Sequence, residues 1–293
     1  MFSVEFHSFL KPDTLKNPIL LKTALLLLIL IPACEEKEAA CSCSDFIDQG
    51  VLTDTPVLGF HKLYLADETG LFFNEIYGDS LSFPVDSTLE EVSNLESPNE
   101  LFQLFMLNLN ANNIYQHSPK LGYAQAKDTA RINKILSFHL EKDWMKVEKV
   151  KFIWGLHNYP LTDKETPYFS LYGLKEDKHG DPVVSSKYVE SAEKYNDHYN
   201  NELSISISMN EEGTKAWAQM TSKNVGNFIA ITAENKVLSA PVINGPITGG
   251  NAMITGGLPK EKTQELVGLI NCEAYKRKIG EDAFEKEMAG CFE

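Results

Sequence analysis

The segment Leu203–Met209 reads LSISISM, with Leu203, Ile205, Ile207 and Met209 alternating with Ser204, Ser206 and Ser208. That two-residue period is the pattern of a strand with one buried and one polar face. The period then changes abruptly. Asn210 is a residue type suited to cap a helix, Glu211 and Glu212 suit the positive end of a helix dipole, and Ala216, Trp217 and Met220 recur as a helical apolar stripe. A half-buried strand followed at once by an amphipathic helix folds back so that the two apolar faces meet. The chain therefore mixes strands and helices, with this helix laying its apolar stripe on a sheet.

The residues after this helix continue the pattern. Lys223–Asn227 forms a return loop in which Gly226 can take the positive φ that most residues resist. Phe228–Thr232 and Lys236–Ala240 read as a hairpin around Ala233-Glu234-Asn235. Pro241 belongs at a sheet edge or at a bulge. On the first reading, Ser239, Ala240, Pro241, Val242 and Ile243 offer an open edge to an extended peptide; on the second they only shape a bulge. The glycine pairs after Thr248 and Thr255 flank a short strand and lack the Gly-Lys-Ser/Thr of a phosphate loop. Leu258-Pro259 opens a helix carrying Thr263, Leu266, Val267 and Ile270.

Upstream, Gly59–Asp79 holds two β-branched and aromatic runs around Asp67–Gly70 and is expected to form a hairpin. Helix starts are expected at Ser87 and Ser97, each three residues before a glutamate, with Leu101, Leu104, Phe105 and Leu109 forming a helical core face. Asp128 is placed to cap a helix bearing Ile132, Ile135, Leu136 and Leu140. Strands follow from Val147 to Gly155 and over Tyr168–Lys175, separated by a turn-rich stretch.

Near the N-terminus the run from Ala24 to Pro32 is too short for a membrane-spanning helix, which needs about 20 apolar residues. Lys11, Lys16 and Lys22 precede it and Ala33-Cys34 follow, an arrangement similar to the lipobox of bacterial lipoproteins. That resemblance implies cleavage before Cys34, acylation of its thiol and attachment to a membrane of the cell envelope, facing the periplasm or the cell surface. The expected divisions are a signal peptide over 1–33, a tether over 34–50, a β-rich region over 51–100, an α+β domain over 101–270 and a helical segment over 271–293.

The formal net charge is -14. Such a surface repels phosphate backbones, so nucleic acid is not an expected partner, whereas cationic polypeptide is attracted. Besides Cys34 there are Cys41, Cys43, Cys272 and Cys291. An even number in an oxidising compartment suggests disulfides, with Cys272 to Cys291 one pairing and Cys41 or Cys43 as alternatives; free thiols remain open. No metal or cofactor is expected, since Cys41-Ser42-Cys43 has neither the usual two-residue spacing nor a His pair nearby. The seven histidines show no metalloprotease spacing and no Gly-x-Ser-x-Gly elbow occurs, so no catalytic residues are assigned and the chain is not read as an enzyme.

The ordered set SMNEEGTKAW, MTSKNVGN, VLSAPVI and ITGGNAMITGG, between Ser208 and Gly257, resembles the first periplasmic, or head, domain of SecD, a subunit of the bacterial preprotein translocase. A weaker likeness extends upstream to about Leu101. The resemblance implies an α+β head-like fold, an antiparallel or mixed sheet with helices packed on one face, that contacts unfolded or extended polypeptide and has translocon subunits among its expected partners. SecD is an integral membrane protein, whereas this sequence has one apolar run; energy coupling by an intramembrane carboxylate is therefore not expected. An alternative use of the same scaffold is binding of a small ligand, a glycan or an envelope partner by a surface lipoprotein.

Overall fold

The computed structural model describes Cys43 and residues 56–78, 100–140, 149–159, 167–175, 182–196, 203–255 and 258–289. Residues 53–274 form one compact unit, and 1–52 with 275–293 form another. The described elements, in order, are β1 (Leu58–Tyr64), α1 (Gly70–Gly78), α2 (Glu100–Leu104), β2 (Phe105–Leu107), β3 (Gly122–Gln125), α3 (Thr129–Leu140), β4 (Val150–Tyr159), β5 (Tyr168–Lys175), β6 (Val184–Ser185), β7 (Val189–Asn196), β8 (Leu203–Met209), α4 (Glu211–Lys223), β9 (Ile229–Ala233), β10 (Lys236–Ser239), β11 (Asn251–Ile254), α5 (Lys260–Ile279) and α6 (Glu281–Ala289). The class is α+β, as expected.

The larger sheet has the order β2-β3-β5-β4-β10-β9-β1-β6, and it closes because β1 also pairs with β5. Strands β1, β5, β4, β10 and β9 thus form a ring. The pairing of β4 with β10 is parallel, Val237 lying opposite Gly155, and the other ring pairings are antiparallel. Strand alternation sends one set of side chains inward. Leu63, Ile153, Tyr172, Leu174, Ala230 and Val237, drawn from all five strands, form one buried cluster. Their neighbours Trp154 and Leu171 join a second cluster with Phe72, Phe73 and Ile76 of α1, Leu101, Phe105, and Ile132, Ile135 and Leu136 of α3. Fully burying each large apolar side chain contributes roughly 1.5–3 kcal/mol, so these two clusters supply much of the stabilisation. Burial pushes the Tyr172 hydroxyl up to about 12, with neighbouring Tyr123 adding to the effect and a hydrogen bond to Ser170 opposing it.

The smaller sheet has the order β11-β8-β7. Ile205, Ile207, Met209, Ala192, Ala252 and Ile254 are buried, as the alternation in LSISISM requires. Helix α4 begins where the sequence places it: the Asn210 side chain accepts from the Gly213 N–H at 2.8 Å. Gly213 is needed there, since a Cβ would lie 2.6 Å from Tyr188 Cβ. Trp217 packs on Phe60 of β1 with ring centroids 4.9 Å apart, joining α4 to the larger sheet.

Three local expectations are corrected. Gly59–Asp79 is not a hairpin: β1 is followed by a turn and then helix α1. The aromatic residues that suggest a second strand, Phe72 and Phe73, instead bury with Ile76 on one helical face. Thr69 starts that helix, its carbonyl accepting from Phe73 N–H and its hydroxyl donating toward Leu65 and Ala66 carbonyls. The helical stripe from Leu101 to Leu109 also breaks, because α2 ends at Leu104 and Phe105–Leu107 pair with β3. Gly122 makes that pairing possible, since a Cβ there would collide with the Phe105 ring and the Met106 carbonyl. Strand β4 continues to Tyr159, into the stretch read as a turn. The helix starts at Ser87 and Ser97 lie outside the described residues.

In the second unit, the end of α5 and α6 meet across Gly280, whose φ is +86°. Tyr275 donates to Glu287 at 2.7 Å and stacks edge-on to Phe284, while Lys276 pairs with Glu281. The described C-terminal residues are thus helical on both sides of Gly280.

His61 of β1 is lowered to about 4, chiefly by burial and secondarily by the Lys151 charge. Its ring lies 3.1 Å from Thr232 Oγ1. Because the folded value is below that of an unfolded histidine, the folded state resists a proton that the unfolded chain accepts. Stability contributed by the neutral ring is full above about pH 6.5 and is lost as pH falls toward 4. Urea unfolding at pH 7 and pH 5 is expected to show a decline that is smaller in His61→Gln than in the wild type.

Candidate functional site

The β9–β10 hairpin turns through Glu234 and Asn235, both with positive φ, 49° and 57°. This is the left-handed conformation that a two-residue hairpin turn requires. Lys262 of α5 holds the turn, lying 2.6 Å from Glu234 and 3.1 Å from Glu265. Burial alone would lower the Lys262 pKa, but hydrogen bonds and charge from the two carboxylates raise it overall.

Strand β10 lies between β4 and β9, so Lys236–Ser239 is not an outer strand. A bulge shifts its register between Val237 and Ser239. Beyond it the chain continues beside residues 226–229. The Pro241 carbonyl accepts from Ile229 N–H at 3.1 Å, Ile243 N–H donates to Asn227 carbonyl at 2.9 Å, and Ile243 carbonyl accepts from Gly226 N–H at 2.8 Å. Val242 faces Phe228 in this bridge. In an antiparallel pair the bonding groups alternate, so the N–H and C=O of Val242 point to the opposite side.

The five residues singled out from the sequence therefore divide. Ser239 ends β10, Ala240 packs against the ring interior and Ile243 is buried, whereas Pro241 and Val242 are exposed. Sequence reasoning missed two residues that extend this surface. Val225 is 47% exposed in the loop after α4, next to the Gly226–Ile243 bond, and Ile247 is 36% exposed; Val242 itself is 41% exposed. The available signal was an apolar residue inside each of two otherwise polar or glycine- and proline-rich turns. Ile247 is fixed by Thr221, a buried residue of α4 whose hydroxyl donates to the Trp217 carbonyl at 2.8 Å and accepts from Ile247 N–H at 3.0 Å. The result is an apolar ledge along the C-terminal end of α4, beside an outward-facing strip of backbone.

Among the described residues no group of three His, Cys, Asp or Glu side chains is placed to hold a metal ion, and no helix is long and apolar enough to cross a membrane. Cys43 and Cys272 are both buried and both disulfide-bonded. Cys34, Cys41 and Cys291 lie outside the described residues.

Residues 167–275 match the model of the SecDF P1 head subdomain. This stretch runs from the start of β5 through the ledge and the smaller sheet into α5. The chain is similar to the protein translocase subunit SecD of Rhodothermus marinus, 29% identical over 170 residues, covering 58% of this chain and 26% of that protein. It is also similar to SecD of Acetobacter pasteurianus, 42% identical over 78 residues, 27% of this chain and 15% of that protein. These matches thus span about a quarter or less of the relatives' length. Among solved structures, a membrane component SecDF that enhances protein export aligns at a TM-score of 0.30 with 30% identity, covering 32% of this chain and 42% of that one. The translocon-associated SecDF of Thermus thermophilus aligns at 0.27 with 15% identity, covering 70% of this chain and 34% of that one. The chain resembles the head region of SecD, as the motifs between Ser208 and Gly257 indicate.

Thr221→Val keeps the shape of the side chain but removes the acceptor for Ile247 N–H. It is expected to cost about 1–2 kcal/mol in urea unfolding, with faster amide exchange at Ile247.

Proposed function

We propose that this chain is an envelope lipoprotein, anchored through an acylated Cys34, whose head-like region binds extended segments of polypeptide beside the protein-export apparatus without catalysing a reaction. The observation that carries this reading is the ledge of Val225, Val242 and Ile247 next to the outward backbone of Val242. An extended client offers alternating side chains to such a ledge and a row of N–H and C=O groups to the strip. Covering the ledge removes apolar surface from water at about 25 cal/mol per Å². The chain's charge of -14 favours cationic clients. Likeness to a protein translocase subunit supports the export setting.

A photocrosslinker placed at Val242 in native cells, with captured partners identified by mass spectrometry, tests this. Many unfolded envelope proteins or translocon subunits are the expected catch. The double variant Val225→Ser, Ile247→Ser is expected to lower the yield several-fold, with each exposed substitution changing stability by no more than about 0.5 kcal/mol. One abundant surface partner, or none, would instead favour the reuse of the scaffold for a small ligand, a glycan or an envelope neighbour.

The anchor has its own test. Cys34→Ser is expected to move the protein from the membrane fraction to the soluble fraction, because acyl chains contribute about 0.8 kcal/mol per buried methylene. Retention of the variant in the membrane fraction would remove lipidation from the proposal.

A further inference from the structure

The two outer strands of the smaller sheet are treated differently. On β7 the register shifts between Val189 and Ser191, and Glu190, Glu193 and Lys194 are exposed. Bulges and charges of this kind discourage edge pairing. The Asn271 side chain of α5 goes further: its Oδ1 accepts from Ala192 N–H at 2.8 Å and its Nδ2 donates to Ala192 carbonyl at 2.9 Å. One carboxamide thus satisfies the donor and acceptor that a neighbouring strand residue would otherwise take.

Among the described residues, strand β11, Asn251–Ile254, carries none of these protections. Its residues are Asn-Ala-Met-Ile, with no charge, no proline and no register shift against β8. Among the described residues no strand lies on its outer side. The orientation of its backbone follows from one bond. Met209 N–H donates to Gly250 carbonyl at 2.8 Å, and the register then places Ala252 opposite Ile207 and Ile254 opposite Ile205 as the bonded pairs. Asn251 and Met253 are the intervening residues, so their N–H and C=O groups point away from β8. Met253 is 46% exposed. Gly250, at the start of the strand, lies against Thr214 in the first turn of α4, the turn that also carries the exposed Glu211 and Glu212.

We propose that the outer edge of β11 receives a cationic, extended polypeptide segment as an added strand, bonded to the backbone of Asn251 and Met253. This rests on the polypeptide-binding reading above and names a second backbone edge, besides the strip at Val242, that takes such a segment. A second copy of this chain is disfavoured as the occupant because each full chain carries -14, whereas a basic segment meets the exposed Glu212 at one end of the strand, where Glu211 is already paired with Lys215 at 2.6 Å.

The test uses a fluorescein-labelled twelve-residue peptide of alternating lysine and valine, its glutamate–valine counterpart, and the full chain, by fluorescence anisotropy at low salt. Met253→Pro removes an outward N–H while leaving the bonds to β8 intact. It is expected to weaken binding of the lysine peptide at least tenfold, with a melting midpoint close to that of the wild type. Met253→Lys, which keeps the N–H but places a positive charge on the edge, is measured beside it and is expected to weaken binding several-fold. This second variant serves if the proline variant does not fold. In the wild type, saturation with peptide is expected to slow amide exchange at Asn251 and Met253. Undiminished affinity in the folded variants, or bound peptide that leaves both amides unprotected, overturns the edge assignment. So does a wild-type dimer in sedimentation equilibrium that Met253→Pro dissociates, which would make a second copy the occupant. If Val242 captures polypeptide in cells while these variants bind normally, this inference alone fails. If neither Val242 nor the peptide reports binding, the functional reading fails with it.

Discussion

The double pairing of β1 is the constraint on which the larger sheet depends. Leu58–Lys62 pair with Ile229–Ala233, and Lys62–Tyr64 pair with Gly173–Lys175, so one strand joins β9, which would otherwise be an outer edge, to the end of β5 that β3 leaves unpaired. Without it the five-strand ring opens, and Leu174, Ala230 and Val237 lose the wall that Leu63 provides. The same strand supplies Phe60, on which Trp217 rests. The head-like stretch 167–275 is therefore completed by a strand that lies outside it in sequence.

Helix α4 carries the rest of the arrangement. Its first turn is capped by Asn210 and crowded at Gly213 and Thr214, its middle is held by Trp217, and its last turns position Ile247 through Thr221. Trp217 Nε1 is buried and donates to no partner among the described residues. Its value at this place is thus the apolar area and shape of the indole rather than its polar edge. A rigid helix bearing loops at its end is a usual way to expose apolar side chains without loosening the fold beneath them.

Much of the order of elements from Leu203 onward was legible because each signal there is local: a two-residue alternation, a cap with acids behind it, a glycine at positive φ and a bulge before proline. The failures have a common cause. Phe72 and Phe73 look like strand residues by composition, but their burial against Phe105 and Phe152 is reached from a helix. Leu101 and Phe105 have helical spacing, yet pairing with Gly122 and its neighbours claims the second of them for a strand. At the candidate site, the sequence identified the strip around Val242 but not that Ala240 and Ile243 turn inward. It did not reveal Val225 and Ile247 as neighbours of that strip, because Thr221 joins them through a bond across 26 residues of chain. The closure of β1 onto β5 and β9 left no local trace at all.

That closure also sets a timetable. The strand that completes the ring is among the first parts of the folded unit to leave the ribosome, and its partner β9 comes late. Until residue 233 has emerged, Leu58 and Phe60 lack the strand they pair with across the ring. Pairings so distant along the chain form slowly and leave apolar strands uncovered while they wait. A protein built this way keeps its first strand waiting until most of the sheet that will cover it has been made.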